Sequence, residues 1–308
     1  MEAIQDIIGS GRTLVLDGGL STQLELGGAD LKNPLWSASV LLDDPDAILA
    51  AHRAFVDAGA DVLITASYQV SFEGFAARGL DAGVAAEALR ASVRIAREAA
   101  DRVDRDVIVA ASVGPYGAIL ADGSEYHGHY ALTHAELAAF HRSRIEILLD
   151  EAPDLLAIET IPSIAEAQAL VEVLEGFPDA RAWFTFTCID GETIADGTPF
   201  AEAVAVVTAS PQVIAVGVNC TSPEFVSDLI RVARRVTAKP AIVYPNRGGG
   251  WDAETKHWLG AKGAGLPDLA PAWREAGASL IGGCCGTDAA DIKALASALA
   301  SDHYRPTS

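Results

Sequence analysis

A single (β/α)8 barrel spanning residues 1–308 is the fold class that this sequence predicts. Three observations carry it: eight short apolar runs, segments of helical spacing between them, and polar or glycine-rich motifs where the runs end. No Pro/Gly/Ser-rich linker, low-complexity tract or shift in composition divides the chain, so one domain is expected.

Taken in order, the runs cover residues 13–19, 61–68, 106–114, 154–160, 181–187, 213–220, 240–246 and 279–285. Most are continuous rather than alternating, as in Val107-Ile108-Val109-Ala110 and Val213-Ile214-Ala215-Val216, which suits parallel strands covered on both faces. Between them the spacing turns helical. Ile48, Leu49, His52, Phe55 and Val56 share one face, as do Phe225, Leu229, Val232 and Val236. Thr133 with Glu136 and Ser163 with Glu166 have capping-box spacing, and Asp44-Pro45 and Ser222-Pro223 set a capping side chain before a first-turn proline. Thr287 is placed to cap the last helix. The joints D-A-G-A-D-V-L-I (57–64) and E-A-G-A-S-L-I (275–281) show one unit repeating.

Composition narrows the function classes. With 22 Lys+Arg against 42 Asp+Glu, the net charge of −20 supplies no basic stripe to replace counterions on nucleic acid. No apolar run approaches the roughly 20 residues of a membrane span, and the N-terminus M-E-A-I-Q-D-I-I-G-S-G-R lacks a secretion signal. A cytoplasmic protein without nucleic-acid or membrane partners is expected, monomeric or a small homo-oligomer. Four cysteines in so long a chain make no disulfide framework.

In such a barrel the chemistry lies where the strands end. The run ends bring to one rim Asp17-Gly18-Gly19, the Thr65–Gln69 segment, Ser112 to Gly117, Glu159-Thr160, Asn219-Cys220, Tyr244 to Asn246 and Cys284-Cys285. Three thiols converging on one point select zinc and leave a fourth coordination position open. Asp17 and Glu159 are a pair of acids able to hold an ammonium group or to act as acid and base. Cys188 has no evident partner and reads as structural. The Tyr126-His127-Gly128-His129-Tyr130 stretch reads as a solvated loop, His52 as a hydrogen-bonded core histidine, and Gly248-Gly249-Gly250-Trp251 as a mobile loop over the site.

The motifs L-D-G-G-L-S-T-Q-L-E, I-T-A-S-Y-Q, S-V-G-P-Y-G, L-A-D-G-S-E-Y, G-V-N-C and L-I-G-G-C-C, in this order over nearly the whole chain, resemble the homocysteine S-methyltransferases. The likeness is to the branch that uses S-methylmethionine or S-adenosylmethionine. It implies that Cys220, Cys284 and Cys285 bind Zn2+, that Asp17 and Glu159 hold the homocysteine amino group, and that Tyr68 can approach the metal when no thiol is bound. Gly286 departs from the pattern, since close relatives carry arginine after the cysteine pair. Of the groups beside these, the Gly18 and Gly19 amides suit the amino-acid carboxylate, and Asn219 is grouped with the substrate residues. Trp36, Tyr68 and Tyr116 are candidates to hold a sulfonium by cation–π attraction.

The activity so implied is methyl transfer from a sulfonium to homocysteine, giving methionine. A homocysteine thiol, with a pKa near 8.5, is mostly protonated at neutral pH, and a thiolate-rich zinc site would deprotonate it while keeping its sulfur electron-rich. Betaine as donor fits less well, because the chain stops soon after its eighth helix. A non-enzymatic redox sensor with a Cys284/Cys285 disulfide would explain the cysteine pair but not Asp17 or Glu159. A Schiff-base aldolase lacks a lysine at a strand end.

Overall fold

A computed structural model describes residues 12–31, 37–120, 122–252, 257–259 and 264–301. Its eight parallel strands follow one another around a ring in the order of the sequence. They are β1 (Leu14–Val15), β2 (Val62–Ile64), β3 (Ile108–Val113), β4 (Leu155–Ile161), β5 (Ala182–Phe186), β6 (Val213–Asn219) and β7 (Ala241–Tyr244). After these comes an antiparallel hairpin, β8 (Gly250–Asp252) with β9 (His257–Leu259), and the eighth barrel strand is β10 (Ala278–Ile281). The ring closes where Leu16 bridges Val62, with Asp17 N donating to Val62 O at 3.1 Å. Each barrel strand falls within or beside a run expected from the sequence. The glycine segment expected as a mobile loop instead leads into the β8–β9 hairpin, with Gly248 and Gly249 both at positive φ.

The helices are α1 (Leu20–Leu26), α2 (Ser37–Asp43), α3 (Pro45–Asp57), α4 (Phe72–Ala76), α5 (Ala82–Ala100), α6 (Gly117–Leu120), α7 (His134–Asp150), α8 (Ile164–Glu175), α9 (Phe200–Thr208), α10 (Val226–Val236), α11 (Leu266–Ala276) and α12 (Ala289–Ser301). Of the eight longer ones, α3, α5 and α7 to α11 are the crossovers and α12 follows the last strand; the short ones are insertions at the rim. In α3 the face expected to be buried is buried, and Asp44 caps it by accepting from Ala47 N. His52 lies on that face with neither ring nitrogen hydrogen-bonded, so the expected partner is missing; burial draws its pKa down to about 4 and keeps it neutral.

Local start signals held where no tertiary contact competed. Thr133 and Glu136 form the full capping box of α7. Ser163 caps α8, but Glu166 does not reciprocate, because its carboxylate is drawn to Tyr116 N, Tyr130 Oη and His141 Nε2. At Ser222-Pro223 the chain makes a turn, and α10 starts only at Val226, leaving Val236 at the exposed far end. The last helix is capped by Asp288, whose Oδ1 accepts from Ala290 N and Asp291 N, in place of Thr287.

Alternation along the strands divides the core in two. Leu14, Leu16, Ile108, Ala110, Leu155, Ala157, Trp183 and Ile242 fill the barrel lumen, while Val109, Ala111, Leu156, Ile158, Phe184 and Val243 pack outward against the helices. Both strand faces are thus apolar, which is why the runs read as continuous.

Candidate active site

The inward series along each strand changes chemistry at the C-terminal rim. On β4, Leu155 and Ala157 are followed by Glu159; on β3, Ile108 and Ala110 by Ser112; on β7, Ile242 by Tyr244. These polar groups meet. Ser112 Oγ donates to Glu159 Oε1, and the Tyr244 hydroxyl is hydrogen-bonded to Glu159, to Thr185 Oγ1 at 2.8 Å and to Trp183 Nε1 at 3.1 Å. Burial pushes the Glu159 carboxyl up to about 7 against these bonds. Asp17, 2% exposed, accepts from Ile64 N through Oδ2 at 2.8 Å, while its Oδ1 is buried without a partner. Its pKa is raised by burial and further by the charge of Glu159. Two buried acids with raised pKa values, one with an orphan oxygen, make a receptor for a cationic hydrogen-bond donor.

Opposite them stand the thiols. Cys220 follows β6 in a left-handed conformation, φ 46°, and its amide donates to Tyr244 O at 3.2 Å. Cys284 N donates to Pro245 O at 2.8 Å, and Arg247 N to Cys285 O at 2.9 Å, so three strand ends are laced together. The three sulfurs lie within 4.8 Å of one another. Cys285 Sγ is 3.7 Å from Cys220 Sγ and 4.0 Å from Cys284 Sγ, whereas Cys220 and Cys284 are in disulfide contact. Tetrahedral zinc with Zn–S bonds of about 2.3 Å separates its sulfurs by about 3.8 Å. The two open distances match that spacing, so the donor set fits zinc once Cys220 and Cys284 are reduced. Burial and the charges of Glu125 and Glu159 push the Cys285 thiol up to about 11, so its ionisation calls for a bound cation.

A sequence model of the family described as homocysteine S-methyltransferase matches residues 14–299. Homocysteine S-methyltransferase YbgG of Bacillus subtilis (strain 168) is 46% identical over 306 residues, covering 96% of this chain and 97% of that one. This chain belongs to the homocysteine S-methyltransferase family. Among solved structures it is similar to the homocysteine methyltransferase MmuM from Escherichia coli. The metallated form gives a TM-score of 0.86 at 42% identity, covering 96% of this chain and 99% of that chain. The oxidized form gives 0.83 at 44%, covering 92% and 95%.

Within this methyltransferase the other expected site residues divide. Tyr68 is half-buried beside the site, hydrogen-bonded to Thr160, with its phenol pKa raised by burial and by the charges of Glu125 and Tyr126. Tyr116 is placed elsewhere than expected for a donor contact: its ring lies edge-on to Tyr130 at 5.4 Å and Phe140 at 5.2 Å, packed on the helix layer. The Gly19 amide is already engaged by Thr287, donating to its O at 3.0 Å and its Oγ1 at 3.2 Å, which leaves Gly18 for a carboxylate. Asn219, grouped with the substrate residues from its position, has both side-chain groups on Thr160: Oδ1 accepts from its amide and Nδ2 donates to its Oγ1, each at 2.7 Å. These two bonds brace Thr160, which sits at φ 60°. Trp36 lies outside the described residues.

The disulfide contact joins Cys220 to Cys284 across two strand ends, not the vicinal pair expected for a redox sensor. Cys188 is buried and its thiol pKa is raised by that burial, in keeping with a structural role. Of the stretch expected as a solvated loop, His127 and His129 are exposed and stack on each other at 5.7 Å, but Tyr126 ends a 3-10 turn and Tyr130 is half-buried, donating to Glu166. At Gly286, φ 79°, an added Cβ would lie 2.4 Å from the Arg247 side chain, so the departure from the family pattern makes room for that residue.

Sequence reasoning placed Tyr244 and Ser112 on the rim without a role, and it missed Arg144. Tyr244 and Ser112 are the hydrogen-bonding support of Glu159, and the period-two series through Ile242 and Ala110 was the available signal for that role. Arg144 of α7, fully buried, donates to Val70 O at 2.8 Å and to Gly114 O and Tyr68 O at 2.9 Å. A charged residue on the inner face of an amphipathic helix was its signal.

Proposed function

We propose that this enzyme binds zinc through Cys220, Cys284 and Cys285 and methylates homocysteine from a sulfonium donor, S-methylmethionine or S-adenosylmethionine, forming methionine. The observation that carries the reading is the convergence of three thiols on the rim that also holds the buried pair Asp17 and Glu159. Zinc, when bound, would supply the Lewis acidity that keeps the homocysteine sulfur a thiolate at neutral pH.

The remaining steps fall to the chain's own groups. Asp17 Oδ1 and Glu159 receive the ammonium of homocysteine, and the Gly18 amide its carboxylate. Ser112 and Tyr244 hold the Glu159 carboxylate towards that ammonium. The thiolate then attacks the methyl carbon in line and displaces the donor sulfur: the new S–C bond forms as the donor C–S bond breaks, and its electron pair stays on the donor sulfur, which becomes a neutral thioether. No proton moves in that step, so the donor side needs no base. The distance to be reached is about 3 to 3.5 Å between thiolate and methyl carbon. Thiol ligands of this kind work in a reducing, cytoplasmic compartment.

The deciding experiment is zinc content together with homocysteine methylation in the reduced protein, offering S-methylmethionine, S-adenosylmethionine and betaine in parallel. About one zinc per chain with methionine formed from a sulfonium supports the proposal. Full turnover in zinc-free protein, or turnover with betaine alone, overturns it.

A further inference from the structure

The turn after α6 carries a carboxylate whose ligand the described residues do not supply. Glu125 sits in a 3-10 turn, Ser124–Tyr126, entered through Gly123 at φ 87°. The turn is fixed in place. Ser124 N donates to Asp122 Oδ1 at 2.9 Å, and a Cβ on Gly117 would lie 2.5 Å from the Glu125 nitrogen, so the two backbones are in direct contact. Glu125 Oε2 is buried and has no hydrogen-bond partner. Its nearest charged influence is another acid, Asp122, which adds to the effect of burial in favouring the protonated form.

Glu125 lies on the same rim as the thiols: Gly117, against which its backbone packs, comes shortly after the end of β3, and its charge reaches Cys285, Tyr68 and Tyr126. An uncompensated buried carboxylate oxygen is costly, and a cationic ligand is what offsets that cost. The ammonium of homocysteine already has Asp17 and Glu159. The methyl donor brings a second positive centre on sulfur, and its methyl carbon must come next to the thiolate at the thiol cluster. A sulfonium has no N–H to donate, so it is recognised by charge and by aromatic faces rather than by a hydrogen-bond acceptor.

We infer that Glu125 is the counter-ion for the sulfonium of the methyl donor, and therefore a specificity residue that favours cationic donors over their neutral thioether products. The inference rests on the sulfonium-donor reading above. It also implies a product-release step: once the methyl group has left, the thioether no longer compensates Glu125.

Two ligand pairs that differ by one methyl group and one charge test it: S-methylmethionine against methionine, and S-adenosylmethionine against S-adenosylhomocysteine. Calorimetric Kd values are measured on the zinc-loaded full chain, wild type and Glu125→Gln, with zinc content and homocysteine KM alongside. The substitution is expected to weaken the sulfonium of the preferred pair by about tenfold or more, leaving its thioether, the zinc content and the homocysteine KM within about twofold. Glu125→Asp, which keeps the charge, should restore part of the discrimination. Equal weakening of sulfonium and thioether would put the carboxylate on the donor's amino-acid end, and unchanged binding would make it structural; either overturns the inference. A wild-type enzyme that methylates homocysteine from neither sulfonium would instead overturn the parent reading, and this inference with it.

Discussion

The guanidinium of Arg144, on α7, donates through Nη2 to the main-chain carbonyl of Tyr68, 76 residues earlier, at 2.9 Å. With its bonds to Val70 and Gly114 it satisfies three carbonyls of the rim segments after β2 and β3 from one buried side chain. Its planar fork is what makes this possible; lysine offers one nitrogen on a flexible stem. Arg144→Lys is expected to leave at least one of these carbonyls without a donor and to lower stability by about 2–4 kcal/mol. Because Tyr68 and Gly114 border the site, kcat/KM should fall as well, while zinc content, set by three distant thiols, stays unchanged. Denaturant unfolding with metal analysis and steady-state kinetics checks all three.

Glu159 couples binding to stability in opposite senses. The folded protein holds its carboxyl to about 7, above the ordinary value of 4.5 that the unfolded chain keeps. Between those values the folded state binds more protons, so stability falls as pH rises through that window. At about 1.4 kcal/mol per unit, the ionised carboxylate costs the substrate-free protein about 3 kcal/mol at pH 8. Glu159→Gln should therefore be more stable than wild type at pH 8 and nearly equal to it below pH 4.5, while losing most affinity for homocysteine. Unfolding curves at the two pH values are the check; a gain of the same size at both would refute the assignment.

The fold was legible because a (β/α)8 barrel imposes a repeat that one sequence displays, with apolar runs, helical spacing and polar strand ends each recurring in step. The thiols and carboxylates were legible for the same reason, since a strand end needs no loop geometry to be placed on the rim. What stayed hidden depended on tertiary competition. Glu166 matches a capping box locally, but a buried cluster of Tyr116, Tyr130 and His141 claims its carboxylate. Asn219 stands beside Cys220, yet the left-handed Thr160 at the end of β4, two strands away, engages both its groups. Tyr116 follows a rim motif and still turns to the helix layer, because the packing of Phe140 and Tyr130 sets its direction. Glu125 lies in a turn of no regular period, where spacing says nothing about the direction of a side chain.

With Cys220, Cys284 and Cys285 as the proposed ligands, the contact between Cys220 and Cys284 makes metal loading conditional on reduction. Two of the three ligands are consumed when these sulfurs are joined, leaving Cys285 and the buried Cys188 as free thiols. Oxidised protein denatured without reductant should titrate two thiols and take up no zinc; reduced protein should titrate all four cysteines and bind about one zinc. Cys285→Ala keeps the pair that can be joined but leaves only two thiol ligands, so it should lose zinc and activity even when reduced. Thiol titration beside metal analysis decides it, and zinc uptake by the oxidised form would refute the ligand set.

Gly19 ties the first strand to the thiol loop by shape alone. Its backbone, at φ −67° and ψ 104°, is open to any residue. A Cβ there would nevertheless lie 2.5 Å from the Cys284 carbonyl oxygen. That carbonyl accepts from Thr287 Oγ1 at 2.6 Å, and Thr287 in turn accepts from the Gly19 amide, so the three residues form one closed contact. Gly19→Ala must move the Cys284 loop, and zinc affinity should fall because thiol spacing is what the metal reads. Gly28→Ala separates this effect from ordinary glycine strain. Gly28 sits at φ 92° with nothing within 4 Å of an added Cβ, so alanine there costs about 1–2 kcal/mol of backbone strain without reaching the thiols. Chelator competition for zinc, run beside thermal unfolding, should show Gly19→Ala losing metal affinity and Gly28→Ala losing stability alone. Equal zinc affinity in both would mean that the loop shifts without disturbing its sulfurs.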